Sequence, residues 1–173
     1  MMKAVFFDRD GVLNEDRGYV FEREEFVWTD GAKEALADLT QAGYALFVVT
    51  NQSGVARGYY TEADVRSLHA WMTAEARRAG GDIKAVYYCP YLEGAPVAAY
   101  DRKSSWRKPG PGMILQAMAD YDIDKRESFL IGDSPRDMEA AERAGIDGYL
   151  FTGGSLQVFV NRIIEERRRR GGL

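Results

Sequence analysis

Four short stretches concentrate side chains that could act on a substrate. Asp8 and Asp10 stand one residue apart where an apolar run stops, and Gly11 follows (FFDRDGVLN, 6–14). VVTNQSG (48–54) ends a second apolar run in a hydroxyl, an amide and a glycine. WRKPG (106–110) sets Arg107 and Lys108 in a loop, and LIGDS (130–134) ends a third run in Asp133. Paired carboxylates can supply a nucleophile, a general acid or base, or metal ligands. For the Asp8–Gly11 stretch alone a plain turn is the better reading, since Asp and Gly favour turns. Recurrence of polar constellations at or near strand ends moves the balance toward a site. Acids from distant segments at equivalent strand ends would repel one another, so such a site needs a cation. An all-oxygen ligand set suits Mg2+.

The elements that must position these groups are legible from patterning. KAVFFD (3–8), YALFVVT (44–50), IKAVYYC (83–89), SFLIGD (128–133) and GYLFT (148–152) are short apolar, β-rich runs and predict strands. Between them lie helical patterns at 31–43, 61–81, 111–121 and 134–145, with a last helix near 155–170. Thr61 with Asp64 and Ser134 with Asp137 have capping-box spacing, and Pro135 fits a first helical position. Residues 90–109 predict a loop. Alternation of strand and helix implies an α/β fold with a parallel sheet flanked by helices. In such sheets ligands bind at the carboxyl ends of the strands.

Bulk properties narrow the function. The 173 residues suffice for one domain over 1–173, and 46 % apolar with 29 % charged residues is ordinary for a globular chain. A net charge of −4 argues against a general nucleic-acid surface, and Arg167–Arg170 reads as a solvated helix end. No apolar stretch reaches membrane-spanning length, and MMKAVFFD lacks a signal-peptide pattern. The single cysteine, Cys89, permits no internal disulfide. The expectation is a cytoplasmic monomer with neither nucleic acid nor membrane as partner.

DRDGV, TNQSG, RKPGPGM and GDSPRDM, in this order, resemble the four motifs of the haloacid dehalogenase superfamily of phosphatases. FFDRDGVLNEDRGYV, FVVTNQSGVARGYYTEA and YYCP extend the likeness to its short, capless members, the histidinol-phosphatase and D-glycero-D-manno-heptose-1,7-bisphosphate 7-phosphatase family. The resemblance implies a Rossmann-like core without a large cap domain and a Mg2+-dependent phosphomonoester hydrolase. It implies Asp8 as nucleophile, forming an aspartyl-phosphate, and Asp10 as general acid and base. Asp8, the main-chain carbonyl of Asp10, and Asp133 would hold the metal. Thr50 would bond the phosphoryl oxygens, and Lys108 would neutralise them and tether the nucleophile. For Asp137, capping the helix and orienting Lys108 stand level.

On the substrate side, Asp16, Arg17, Gly18 and Tyr19 map onto the sugar-contacting loop of the heptose enzymes, and Asn51, Gln52 and Ser53 would add hydrogen bonds. Arg107 could grip a second phosphate, because a guanidinium suits bidentate phosphate contact. A bisphosphate therefore fits better than a monophosphate, which ranks the heptose substrate above histidinol phosphate. A phosphoacceptor signalling module is the alternative from another class, but it lacks an acid/base at the position of Asp10. One departure stands out. Relatives with a four-ligand zinc site carry Cys-x-His and Cys-x-Cys around this loop, whereas here only Cys89 remains, with Ser104, Ser105 and Trp106 near the other positions. One thiolate cannot make a tetrahedral site, so no zinc is expected. Tyr91, Tyr100 and Trp106 are the candidate anchors of the loop, and His69, in a helix, reads as structural or exposed and not as catalytic.

Overall fold

The computed structural model describes residues 1–171. Its elements run β1 (Lys3–Phe7), α1 (Ala32–Gln41), β2 (Tyr44–Asn51), α2 (Glu62–Arg78), β3 (Ile83–Cys89), α3 (Gly112–Asp120), β4 (Phe129–Gly132), α4 (Pro135–Ala144), β5 (Asp147–Leu150) and α5 (Leu156–Gly171). Short 3-10 turns at Arg23–Glu25 and Ala98–Tyr100 lie in stretches the sequence left as loop. The five strands form one parallel sheet in the order β3-β2-β1-β4-β5.

Strand composition follows position in that sheet. Buried central strands need no polar face, so β1, β2 and β4 are almost wholly apolar. The edge strands β3 and β5 carry exposed positions. Successive side chains of β1 face opposite layers, as the two-residue period requires. Val5 and Phe7 pack with Leu36, Leu39, Met72 and Val160 of α1, α2 and α5. Ala4 and Phe6 pack with Met113, Ala117, Ala140 and Ala141 of α3 and α4. The result is a three-layer α/β fold, with a parallel sheet between two helical layers and no large cap among the described residues.

The helices begin where their caps dictate. α2 starts after Thr61, whose hydroxyl accepts from the Asp64 amide while Asp64 accepts from the Thr61 amide. The loop after β3 is closed by side chains. Glu62, at the first turn of α2, accepts hydrogen bonds from both Tyr88 and Tyr100 at 2.8 Å. Tyr91 lies 6.0 Å from Tyr100 and carries the Arg102 guanidinium at 4.4 Å from its ring centre. Trp106 meets Tyr87 edge to face. The expected anchors Tyr91, Tyr100 and Trp106 thus all make contacts, and Glu62 is the one the sequence did not single out.

Glu62→Ala removes a charged acceptor from two phenols at once. It is expected to lower unfolding stability by about 1–3 kcal/mol and to increase proteolytic cutting within residues 90–107. Denaturant melts and timed digestion check both.

Candidate active site

In the order β3-β2-β1-β4-β5 the chain leaves β1 for one side of the sheet and later returns to its other side at β4. That reversal opens a crevice at the carboxyl ends of β1 and β4. Asp8 directly follows β1, Asp133 directly follows β4, and Thr50 and Asn51 end β2. Asp8, Asp133 and Asn51 border a cavity of about 440 Å3 lined also by Asp10, Asp16, Tyr19, Arg107 and Lys108.

Lys108 is the hub. It is 4 % exposed, and its ammonium donates to Asp8 Oδ1 at 2.9 Å, to Asp137 Oδ1 at 2.7 Å and to the Val49 carbonyl at 2.9 Å. Three donors meet three acceptors, which satisfies the buried charge. Burial works to lower the pKa of Lys108, but Asp8 and Asp137 outweigh it, so the ammonium is held above its ordinary value. Burial raises Asp8 well above the usual carboxylate range, with Lys108 opposing and the charges of Asp137 and Asp133 adding to the rise. Burial likewise works to raise Asp137, but Lys108 reverses the outcome and holds it low. Asp137 Oδ2 meanwhile accepts from the Asp133 and Ser134 amides and the Ser134 hydroxyl. Its capping and lysine-holding contacts therefore coexist, one on each oxygen.

The backbone of Lys108 is fixed as well. Asn51 accepts from its amide at 2.9 Å and donates to its carbonyl at 3.2 Å. This corrects one expectation: the Asn51 amide borders the cavity but is engaged with the loop. Gln52 is engaged in the same way. Its nitrogen donates to Asp10 Oδ2 at 3.2 Å and to Thr50 Oγ1 at 2.8 Å, and its oxygen accepts from Tyr60. Thr50 is buried behind Gln52 and is not part of the cavity lining. Burial pushes the Tyr60 phenol up to about 12, so it remains a donor to Gln52.

Asp10 completes the floor. Its Oδ1 accepts from Asn14 at 3.0 Å and from Arg9 at 2.8 and 3.3 Å. Arg9, only 1 % exposed, is held in turn by Val20 O and by His69 Nε2 on α2. His69 is buried and structural as expected. Arg9 was overlooked, although it stands inside the DRDG motif.

The wall is cationic. Arg57, Arg107 and Arg136 all line the cavity, and none forms an ion pair among the described residues. Arg107 is half-buried, and its Nη1 has no hydrogen-bond partner among them. Burial lowers its pKa, and repulsion from Arg136 and Arg57 adds to the fall. Arg57 and Arg136 were not singled out from sequence; Arg57 follows TNQSG by three residues, and Arg136 lies inside GDSPRDM. Of the expected sugar-loop residues, Asp16, Gly18 and Tyr19 reach the cavity. Arg17 does not: it is half-exposed and paired with Glu15 at 2.9 Å, a neighbour two residues back that outcompetes the pocket. Tyr19 holds a φ of +53° and stacks edge-on against Tyr59, with Arg57 beside its ring.

The donor set fits a hard divalent cation. Carboxylate oxygens of Asp8, Asp133 and Asp137 lie within 4.8 Å of one another. Both Asp137 oxygens are already bonded, which leaves Asp8 and Asp133 as the better-placed pair. Gly11 packs against Asp133 so closely that a Cβ there would collide with the carboxylate, and its φ of +87° also favours glycine. The motif glycine thus permits Asp133 to approach the β1 loop.

Comparison with known proteins follows this geometry. Residues 105–159 match a family model described as "HAD-hyrolase-like". The chain is 46 % identical over 166 residues to the D-glycero-beta-D-manno-heptose-1,7-bisphosphate 7-phosphatase of Rhodopseudomonas palustris, covering 96 % of this chain and 92 % of that one. It is 42 % identical to the protein of the same name from Escherichia coli, over 83 % of this chain and 75 % of that one. Among solved structures, the D,D-heptose 1,7-bisphosphate phosphatase of B. bronchiseptica, complexed with magnesium and phosphate, aligns with a TM-score of 0.84 at 31 % identity, over 95 % of this chain and 99 % of that one.

His69 generates a pH prediction. Burial, reinforced by the Arg9 charge, holds it well below its ordinary value of 6.5, so it is neutral when folded. An unfolded chain takes up that proton first. The stabilisation is complete above pH 6.5 and is lost as pH falls toward the lowered folded pKa, with a slope of up to about 1.4 kcal/mol per pH unit. The unfolding free energy of wild type should drop from pH 7.5 to 5.5 by more than that of His69→Gln, as denaturant melts at both pH values will show.

Proposed function

The chain belongs to the heptose-1,7-bisphosphate 7-phosphatase family of the haloacid dehalogenase superfamily, and on that premise we propose that it removes the C7 phosphate of D-glycero-D-manno-heptose 1,7-bisphosphate through an aspartyl-phosphate on Asp8. The observation that carries the substrate reading is the polarity of the cavity: carboxylates with one lysine on its floor, and three arginines without anionic partners among the described residues on its wall. One end suits the reacting phosphoryl group and the other a second phosphate.

Asp8 attacks phosphorus, the P–O bond to the sugar oxygen breaks, and that oxygen departs as Asp10 gives it a proton. Water then attacks the aspartyl-phosphate, Asp10 takes its proton, and inorganic phosphate leaves. Lys108 holds Asp8 in place and offsets charge on the phosphoryl oxygens. Magnesium, held by Asp8, the Asp10 carbonyl and Asp133, would supply the charge neutralisation that lets a carboxylate approach a phosphate dianion. Asp16, Gly18, Tyr19 and Ser53 border the sugar, while Asn51 and Gln52, also on the lining, hold Lys108 and Asp10, with Thr50 behind Gln52.

The same reading makes residues 1–173, of which 172–173 lie outside the described residues, one catalytic domain. It acts as a cytoplasmic monomer on a small sugar phosphate, without nucleic acid or membrane. Among the described residues no helix is long and apolar enough to cross a membrane. The loop at 90–109 works without zinc, a reading supported by its ties to Glu62.

Phosphate release with and without Mg2+, compared between the heptose bisphosphate and histidinol phosphate, tests the assignment. Expected is a metal-dependent turnover that favours the bisphosphate and is abolished in Asp8→Asn. Wild-type rates in Asp8→Asn, or a tenfold or greater preference for histidinol phosphate, about 1.4 kcal/mol in the barrier, would reject it. Arg107→Ala should lose about 1.5–3 kcal/mol of kcat/KM with the bisphosphate and markedly less with a heptose 7-monophosphate. Equal losses on the two esters would remove Arg107 from the second-phosphate role.

A further inference from the structure

Asp10 is held very unequally at its two oxygens. Oδ1 accepts three hydrogen bonds, from Arg9 Nη2 at 2.8 Å, Arg9 Nε at 3.3 Å and Asn14 Nδ2 at 3.0 Å. A carboxyl oxygen so occupied has no lone pair left to carry a transferable proton. Oδ2 accepts only from the Gln52 nitrogen at 3.2 Å. The Gln52 amide is held from its other end by Tyr60, whose hydroxyl donates to the amide oxygen at 2.8 Å.

The Arg9 guanidinium is itself pinned on every edge. A charged group 1 % exposed is costly unless paired. Besides Asp10, Arg9 Nη2 donates to the Val20 carbonyl at 2.7 Å, and Nη1 lies 3.1 Å from His69 Nε2. Arginine offers only donors, so His69 must accept at Nε2 and carry its proton on Nδ1. His69 comes from α2, with the Tyr88 ring edge-on beside it, and Val20 ends the segment that brings Asp16, Gly18 and Tyr19 to the cavity. One rigid, planar group thus joins the β1 loop, helix α2 and the sugar segment.

We propose that Arg9 and His69 are positioning residues that lock Asp10 through Oδ1, so that Oδ2 is the oxygen that hands over and recovers the proton, and that the bond to Val20 sets this orientation together with the substrate segment. The inference rests on Asp10 being the acid/base of the proposed reaction. Neither Arg9 nor His69 borders the cavity. Their effect reaches the reaction through Asp10, and for Arg9 also through the substrate segment it holds at Val20.

The test exploits leaving-group demand. An alkoxide leaving from a sugar phosphate needs a proton in the transition state, whereas p-nitrophenolate does not. Because kcat/KM reports the steps up to the aspartyl-phosphate, misplacing Asp10 should affect one ester selectively. His69→Leu removes the acceptor for Arg9. Its kcat/KM should fall by at least about tenfold on the heptose bisphosphate, within the range a general acid contributes, and by less than about threefold on p-nitrophenyl phosphate. His69→Gln, whose amide oxygen can accept from Arg9, should restore most of the loss. Should His69→Leu fail to fold, Arg9→Lys is read by the same ratio, since it keeps the charge but loses the planar fork. Equal losses on both esters, no loss on either, or no rescue by His69→Gln would overturn the proposal. Asp10→Asn on the same two esters separates the premise from the inference. If it shows the selectivity and the His69 and Arg9 variants do not, only the positioning claim fails. If it lowers both esters alike, the acid/base reading of Asp10 fails with it.

Discussion

A single buried ammonium organises this molecule's chemistry. Lys108 reaches the floor of the crevice from a loop and divides its three protons among Asp8, Asp137 and the last turn of β2's backbone at Val49. A buried charge is tolerated only when fully bonded, so the positions of three elements become mutually dependent: the ends of β1 and β2 and the start of α4. Asn51 extends the dependence to the main chain of Lys108, which makes the 106–110 segment part of the sheet's rim. Because Asp137 serves both as cap of α4 and as lysine partner, the start of that helix and the site share one side chain.

The second organising feature is a division of charge across the cavity. Acids and one lysine lie on the floor, and Arg57, Arg107 and Arg136 stand on the wall. Guanidiniums brought close together in a half-buried pocket repel one another, and the lowered pKa of Arg107 records both that repulsion and its burial. Such an arrangement costs stability in the free protein and is offset when an anion enters. The crevice is therefore built for a ligand with negative charge at more than one place. The sheet supplies the rigidity that holds the repelling groups at fixed separation.

The loop after β3 shows a different solution to a local problem. In a chain with a lone cysteine, it is tied to α2 by the Tyr100 phenol, which shares the Glu62 carboxylate with Tyr88 of β3, and it is packed by the aromatic contacts Tyr87–Trp106 and Tyr91–Tyr100. Glu62 at a helix N-terminus is also favourably placed against the helix dipole. The loop that delivers Arg107 and Lys108 is anchored at its base by these contacts and at its tip by Asn51.

The amino-acid order by itself determined the strands, the helices and the ends at which acids appear, because hydrophobic period and capping residues act over a few neighbours. Strands expected at 3–8 and 128–133 end one residue earlier, at Phe7 and Gly132, leaving Asp8 and Asp133 just outside the ladder. Motif resemblance singled out Asp8, Asp10 and Lys108. Only the tertiary structure decided which polar groups face the substrate and which are consumed in holding others. Asn51 and Gln52 turn to Lys108, Asp10 and Thr50, and Arg17 turns to Glu15, while Arg57 and Arg136, from stretches the motifs mark, turn their side chains onto the cavity wall. The reason is physical: a side chain's partner is set by what the sheet order brings within about 3 Å, and sequence distance does not encode that. Arg9 and His69 are sixty residues apart in the chain and meet only because α2 packs over the end of β1.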